Sequence, residues 1–407
     1  MRSAVILLFL AIGAASAGPM GRVLRLTPSS KAQLDFIASL DSNTDFELDF
    51  WTHPAEVGVP VDIRVTHDDY AKLAKLLASK SIVFTIQIPD LDALSSKQNP
   101  PASRSSGFDY QKYNTFQAIY TEMDNLVRQH SQLATMQNLG NTYEGRPMKA
   151  VKISSGRGKK TFFMNCGIHA REWITQATCM YMLNQILYKY GKDQTVTAML
   201  DKMDFVIMPI LNVDGYVYTH THNRMWRKTR KPYGGCYGAD PNRNWSFKWG
   251  GVGTSSDPCR DTYRGPRPFS EVEALNVARY LYRNRKSLIG YMDIHAYSQL
   301  WMTSWGFNRA YPPAYNTKVK PAGQKAVEAL RKVYGTHYRL GPSSIIIYAT
   351  SGGTMDWATG VLGIEYSYGL ELRDEGKYGF VLPANQILPT GVETFAAIKA
   401  MVQEMKV

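Results

Sequence analysis

The chain has only four cysteines in 407 residues, and no two of them form a CxxC pair. That excludes the thiolate zinc clusters built on closely spaced cysteines. Beyond the first residues no stretch reaches about 18 uninterrupted apolar positions, so the sequence offers no membrane-spanning helix. It has no internal repeat, no arginine-rich tail and no aromatic–basic alternation, and no nucleic-acid motif follows.

What is present begins with a leader. Met1-Arg2 is a short basic start, residues 5–12 are apolar, and Ala15-Ser16-Ala17 is a small-residue cleavage signal. Residues 1–17 therefore read as a signal peptide, and the rest as a secreted, extracellular protein. An even cysteine count in an exported chain favours two disulfides. Cys166 and Cys179 are close in sequence, as are Cys236 and Cys259, and sequential pairing would staple two loops; all three pairings stay open.

The length suits a domain of about 300 residues with a smaller partner. Charge divides the same way. Residues 18–104 carry nine Lys/Arg against 11 Asp/Glu, whereas residues 105–407 carry 37 against 23. With no basic tail or motif, the excess reads as a solvated positive surface.

Residues 18–94 are expected to form a small α+β unit. Strands are expected over 24–26, 47–52, 59–65 and 81–88, with helices over 30–40 and 67–79; the second helix carries Asp68 and Asp69 in its first turn. Residues 95–107, with Pro100, Pro101, several serines and Gly107, read as a connecting segment. Arg104 within it is a natural site for a trypsin-like protease. From 108 to 407, expected helices over 115–129 (N-capped by Asn114), 174–190, 269–282, 323–334 and 389–405 alternate with apolar strands over 160–165, 204–211, 288–294 and 360–366. The fold class is therefore α/β: a mixed, mostly parallel sheet with helices on both faces, preceded by the α+β unit. Functional residues should gather at loops leaving the strand ends.

His169-Ala170-Arg171-Glu172 follows a strand and Gly167 directly. Two ligands three positions apart need a third from elsewhere, and His295 at the end of Asp293-Ile294-His295 is the best candidate. His₂Glu with an open position is a known catalytic zinc set. Alone, HxxE also fits a surface pair or a cap, and His295 fits a buried hydrogen-bonded imidazole.

The wider pattern is more specific. It runs through Gly167-Ile168-His169-Ala170-Arg171-Glu172-Trp173 and Pro209-Ile210-Leu211-Asn212-Val213-Asp214-Gly215, then Asn223-Arg224-Met225-Trp226-Arg227 and Asp240-Pro241-Asn242-Arg243-Asn244-Trp245. It ends with Asp293-Ile294-His295-Ala296-Tyr297-Ser298-Gln299, Ser351-Gly352-Gly353 and Leu370-Glu371-Leu372-Arg373-Asp374. In sequence and order these resemble the zinc metallocarboxypeptidases of the pancreatic A/B type, with residues 18–104 similar to their inhibitory activation domain.

The resemblance implies one Zn2+ per chain, held by His169, Glu172 and His295, with Asp240 accepting from the first histidine. It implies that Glu371 is the general base, that Arg227 stabilises the oxyanion, and that Arg243, Asn242 and Tyr348 clamp the substrate's terminal carboxylate. Arg171, Tyr297 and Ser298 match groove positions, and Arg224 lies farther along. Ala296 stands where the family usually has serine, which removes a hydroxyl but no catalytic atom. The partners implied are peptides with a free C-terminus, the activating protease and the chain's own activation domain as inhibitor.

Met355 falls at the family's main specificity position, with Ser343, Thr350, Gly369 and Gly306 near the same pocket. A thioether suits an irregular apolar pocket and leaves a substrate lysine or arginine unpaired. Aromatic or aliphatic C-terminal residues are expected. Two alternatives are B-type release of Lys/Arg, should Asp356 point inward, and an inactive carboxypeptidase-like binding protein. The Asn244-Trp245-Ser246 sequon lies beside the clamp and is read as unused.

Overall fold

The computed structural model describes residues 20–99 and 107–407. The expected signal peptide and Arg104 lie outside the described residues.

The N-terminal unit runs β1 (Arg22–Leu26), α1 (Lys31–Ser39), β2 (Leu48–Phe50), β3 (Val61–Val65), α2 (His67–Ser79), β4 (Phe84–Ile88) and α3 (Leu91–Ser96). Its antiparallel sheet has the order β2-β3-β1-β4. Leu24, Leu26, Ile63 and Val65 bury one face of the sheet with Ile37 of α1 and Leu73 and Leu77 of α2. Ser30 and Thr66 cap the two helices, each side chain accepting an N–H three residues on.

The large unit begins with α4 (Phe116–Gln129), β5 (Ala134–Asn141), β6 (Pro147–Ile153), β7 (Thr161–Cys166), α5 (Trp173–Lys189), α6 (Gln194–Lys202), β8 (Asp204–Met208) and α7 (Val213–Thr221). A two-residue pair, β9 (Pro232–Tyr233) and β10 (Cys236–Tyr237), precedes α8 (Val272–Asn284), β11 (Leu288–Ala296) and β12 (Leu300–Thr303). The chain ends with α9 (Lys320–Tyr334), β13 (Arg339–Pro342), α10 (Ser343–Ile346), α11 (Thr354–Gly360), β14 (Tyr366–Leu372) and α12 (Ile387–Glu404).

The eight-stranded sheet has the order β13-β12-β14-β11-β7-β8-β6-β5. Its centre, β14-β11-β7-β8, is parallel; β12 and β6 pair antiparallel with its two edges, β5 pairs antiparallel with β6, and β13 pairs parallel with β12. Every residue of β7 and β8 is buried, as strands covered on both faces must be. Helices α4, α5, α6, α9 and α12 build the core on one side; α8 and α11 build it on the other. No helix among the described residues is long and apolar enough to cross a membrane.

Three local expectations are corrected. Thr115, not Asn114, caps α4: its hydroxyl accepts from Ala118 N, while the Asn114 amide is committed to the Asp109 and Lys112 carbonyls. The strand expected over 360–366 starts only at Tyr366, because Gly360 still belongs to α11; Glu371 therefore lies within β14 rather than after it. The β8 strand stops at Met208, and Asn212 begins α7 as its cap. The β5–β6 hairpin was not expected; its polar, half-exposed strands lack a long apolar run.

Candidate metal centre and substrate cleft

Gly167 ends β7 at φ +65°, and a Cβ there would sit 2.6 Å from the Gln176 amide. Glycine thus permits the turn that presents His169 and Glu172 just before α5. The Cys166–Cys179 disulfide ties the strand end to that helix, and Cys236–Cys259 closes the other loop, so sequential pairing holds. The third ligand arrives on the neighbouring strand, since β11 pairs with β7 and carries His295 one residue beyond the partner of Cys166.

His169 Nδ1 lies 2.8 Å from Glu172 Oε1 and 3.2 Å from His295 Nδ1, and His295 Nδ1 lies 3.3 Å from Glu172 Oε2. Tetrahedral zinc with bonds of about 2.0–2.1 Å needs donors about 3.3 Å apart, so the spacing fits. Two imidazole nitrogens turned toward one another beside a carboxylate are the donor set zinc prefers. The other ring nitrogens face carboxylates: His169 Nε2 is 3.1 Å from Asp240 Oδ1, and His295 Nε2 is 2.9 Å from Asp293 Oδ2. Such partners fix the tautomer that leaves Nδ1 free for metal. One zinc ion per chain is the cofactor this triad holds.

Asp240 also receives Arg227, whose Nη2 donates to Oδ2 at 2.8 Å. Burial opposes ionisation of Asp240, but Arg227 and Arg243 outweigh it and hold the carboxyl well below the usual range. Arg243 is anchored by its Nε to Gly253 O at 2.8 Å and by its Nη1 to Asn242 O at 3.0 Å, which fixes the plane of its guanidinium at the cleft wall. The loop carrying Gly352 (φ +73°) comes so close that a Cβ would lie 2.6 Å from Arg243 O. Asn242 Oδ1 accepts from Thr354 N, joining the same two loops.

One cavity collects the ligands, Arg227, Asn242, Arg243, Tyr297, Ser298, Tyr348, Met355 and Glu371. Burial pushes the Glu371 carboxyl up to about 8; a bound dication favours its ionised form. The pocket end is apolar and soft. Gly369 pairs with Met302 across β14 and β12, and a Cβ on Gly369 would meet Met302 Cε at 3.3 Å and Met355 Sδ at 3.6 Å. Asp356 also lines this cavity, and its carboxylate accepts the Gly306 and Phe307 N–H groups at 2.8 to 3.0 Å. Burial pushes it up to about 6. Asn244 is fully buried, its amide donating to the Arg264 and Arg267 carbonyls and Ser270 Oγ, so the folded chain cannot carry a glycan there.

Of the expected zinc ligands, catalytic residues and substrate-binding residues, Arg171 alone is not among the cavity walls. It is buried and donates to Asp49 Oδ2 of the N-terminal unit at 2.8 Å, with Asp261 Oδ2 at 3.4 Å. Arg224 donates to Gln98 Oε1 and to the Arg171 and Phe380 carbonyls. The N-terminal unit roofs the cleft with Trp51 and Thr52, and His53 packs edge-on against Tyr348 with ring centroids 5.0 Å apart. Burial, with Arg243 and Arg227 nearby, pushes the His53 imidazole down to about 3, so it meets the arginines uncharged. Tyr297 donates its hydroxyl to Asp62 at 2.8 Å, and Arg25 holds that carboxylate from the other side.

Sequence reasoning assigned no role to Asp293, Met302, Asp49, His53 or Asp62. Asp293 had a signal, because residues two apart on a strand share a face with His295. The N-terminal residues had none, since their partners in the large unit lie more than 100 positions away.

The comparisons agree with this geometry. The zinc carboxypeptidase family profile matches residues 119–397, and the carboxypeptidase activation peptide profile matches residues 24–98. The chain is 40% identical to carboxypeptidase A2 of Rattus norvegicus over 95% of this chain and 94% of that one. It is 38% identical to carboxypeptidase A1 of Sus scrofa over 94% and 93%. The crystal structure of thrombin activatable fibrinolysis inhibitor superposes with a TM-score of 0.87 at 32% identity, covering 94% of this chain and 98% of that one. The triad, the cleft and its roof are thus those of a zymogen, and the chain belongs to the zinc carboxypeptidase family.

Proposed function

We propose that the exported chain, once freed of residues 18–94 by cleavage in the 95–107 segment, removes apolar or aromatic residues from peptide C-termini with the following division of labour. Arg243 receives the terminal carboxylate in its guanidinium fork, with Asn242 and the Tyr348 phenol beside it. Arg227 donates toward the scissile carbonyl oxygen and stabilises the charge that develops there. Bound zinc supplies Lewis-acid polarisation and lowers the pKa of water. Glu371 takes the proton from the attacking water and passes it to the departing amine. Asp240 orients His169 and Arg227 together. Tyr297 and Ser298 line the groove for the preceding residues, and Arg171 joins them once removal of residues 18–94 takes Asp49 away.

The observation that carries this reading is the convergence of His169, Glu172, His295, Arg227, Arg243 and Glu371 on one cavity with Met355 at its apolar end. Met355 and Met302 offer no charge to a substrate cation, and burying one there unpaired is costly. The Asp356 carboxylate, the nearby acid on which B-type release would depend, already accepts three hydrogen bonds from backbone N–H groups, which supports the apolar reading. A trypsin-like enzyme acting near Arg104 fits the basic residue in that segment.

The test is to treat purified precursor with trypsin and compare peptides ending in Phe, Leu, Lys, Arg and Glu, with and without chelator. Chelator-sensitive release of Phe and Leu is expected. Preferred release of Lys or Arg would overturn the pocket assignment, and no metal-dependent release from any peptide would overturn the catalytic one.

A further inference from the structure

The positive excess of the large unit is not spread evenly. The loop from β6 to β7 reads Ser154-Ser155-Gly156-Arg157-Gly158-Lys159-Lys160, and α8 ends in Arg283-Asn284 and is followed by Arg285-Lys286. The fold puts these segments side by side: Thr161 N donates to Ser287 O at 2.8 Å, and Lys160 Nζ donates to Lys286 O at 3.0 Å. A groove lined by Lys152, Arg157, Lys159, Asp204 and Ser287 runs between them.

Compensation is incomplete. Lys152 and Lys159 share one carboxylate, that of Asp204, at 3.1 and 3.4 Å. Arg285 Nη1 donates to Tyr282 O and its guanidinium lies over the Tyr282 ring, the expected use of a cation at a helix C-terminus. Arg157, Lys160, Arg283 and Lys286 are exposed and pair with no carboxylate among the described residues. Four free cations along adjoining segments repel one another, and the arrangement is relieved by an extended anion.

We propose that this ridge is a docking surface for a linear sulfated polysaccharide. Sulfates repeated along a chain match the row of cations, with arginine taking a sulfate in its planar fork and lysine as a point charge. Among the described residues, no exposed large aliphatic side chain lies in these segments to enter a bilayer, and the one exposed ring, Tyr282, is covered by Arg285 rather than free to stack on a base. The ridge sits where β7 and β11 begin, whereas His169 and Glu172 follow the end of β7 and His295 is the next-to-last residue of β11. The seven residue steps from Leu288 to His295, at about 3.3 Å each, separate the two places by roughly 23 Å. A tethered enzyme therefore keeps its cleft open.

The test titrates full-length protein with heparin at 0.15 M NaCl. It compares Arg157→Ser/Lys160→Ser/Lys286→Ser with a charge-matched control on α9, Lys325→Ser/Arg331→Ser/Lys332→Ser. Ridge substitution is expected to weaken binding by about tenfold or more and to flatten its salt dependence, with the control close to wild type. Equal loss in both variants, no binding by wild type, or tighter binding to phosphatidylserine vesicles or DNA than to heparin each overturns the proposal. Hydrolysis by the trypsin-treated variants is measured alongside and stays at the wild-type rate, so failure of the docking assignment is separate from failure of the catalytic one.

Discussion

Glu371 of β14 and His295 of β11 are register partners on adjacent parallel strands. A carboxylate and a metal-ligating imidazole therefore leave the sheet side by side, positioned by backbone pairing rather than by a loop. Replacing Glu371 with Gln keeps the shape and removes the proposed base. Glu371→Gln should retain one zinc per chain by elemental analysis while kcat falls by about 10²–10⁴. Loss of zinc in this variant would assign the residue to metal binding instead.

Asp240 serves two groups, holding His169 through Oδ1 and Arg227 through Oδ2. Asp240→Asn should weaken zinc affinity by about 10–100-fold, measured by competition with a chelator. Saturating zinc should restore occupancy but not full kcat, because Arg227 stays misplaced. Complete rescue by zinc would show that the arginine is positioned independently.

Met355 tests the pocket. Met355→Asp places a carboxylate where the thioether now faces Gly369 and Met302. The ratio of kcat/KM for a Lys-ended over a Phe-ended peptide should rise by about 10² or more. An unchanged ratio would mean that another side chain sets specificity.

Glu273 predicts a pH-dependent stability. Its Oε1 accepts the Tyr143 N–H at 2.9 Å and its buried Oε2 has no partner. Burial pushes this carboxyl up to about 7 from an ordinary 4.5. The folded state thus binds the proton more tightly than the unfolded state, and the stabilisation is full below pH 4.5 and lost as pH rises through 7. The loss is of order 1–3 kcal/mol, and Glu273→Gln should flatten it in urea midpoints taken from pH 5 to pH 8. Parallel curves for both proteins would reject the assignment.

Asp49 is the acid that the N-terminal unit places on buried Arg171. Asp49→Ala should leave the uncleaved chain with measurable hydrolysis of a peptide on which the wild-type precursor is silent. The same change should shorten activation by trypsin. A silent variant would shift inhibition to the Trp51–His53 roof.

How far the sequence carried the reading depends on the range of each interaction. Helix α2 was legible to the residue, because its cap, its first-turn acids and its apolar spacing are all local. The zinc triad was legible through motif order, although the third ligand needed the resemblance as well as the strand pattern. Asp356 stayed open until the Gly306 and Phe307 N–H groups were seen to occupy it. The β5–β6 hairpin and the roof over the cleft were not legible. The hairpin strands are half polar, and Asp49, His53 and Asp62 acquire meaning only from partners distant in the chain.

Gln98 and Asn99, the last described residues before Arg104, are stitched to the large unit. Gln98 bonds Arg224 and the 382–384 loop, and Asn99 exchanges two hydrogen bonds with Tyr113. A cut near Arg104 leaves every one of these bonds in place. On the proposed activation route, the nick should therefore be faster than dissociation, and gel conversion should precede the rise in peptide hydrolysis. The delay, not the nick, would decide how far the enzyme travels before it begins to work.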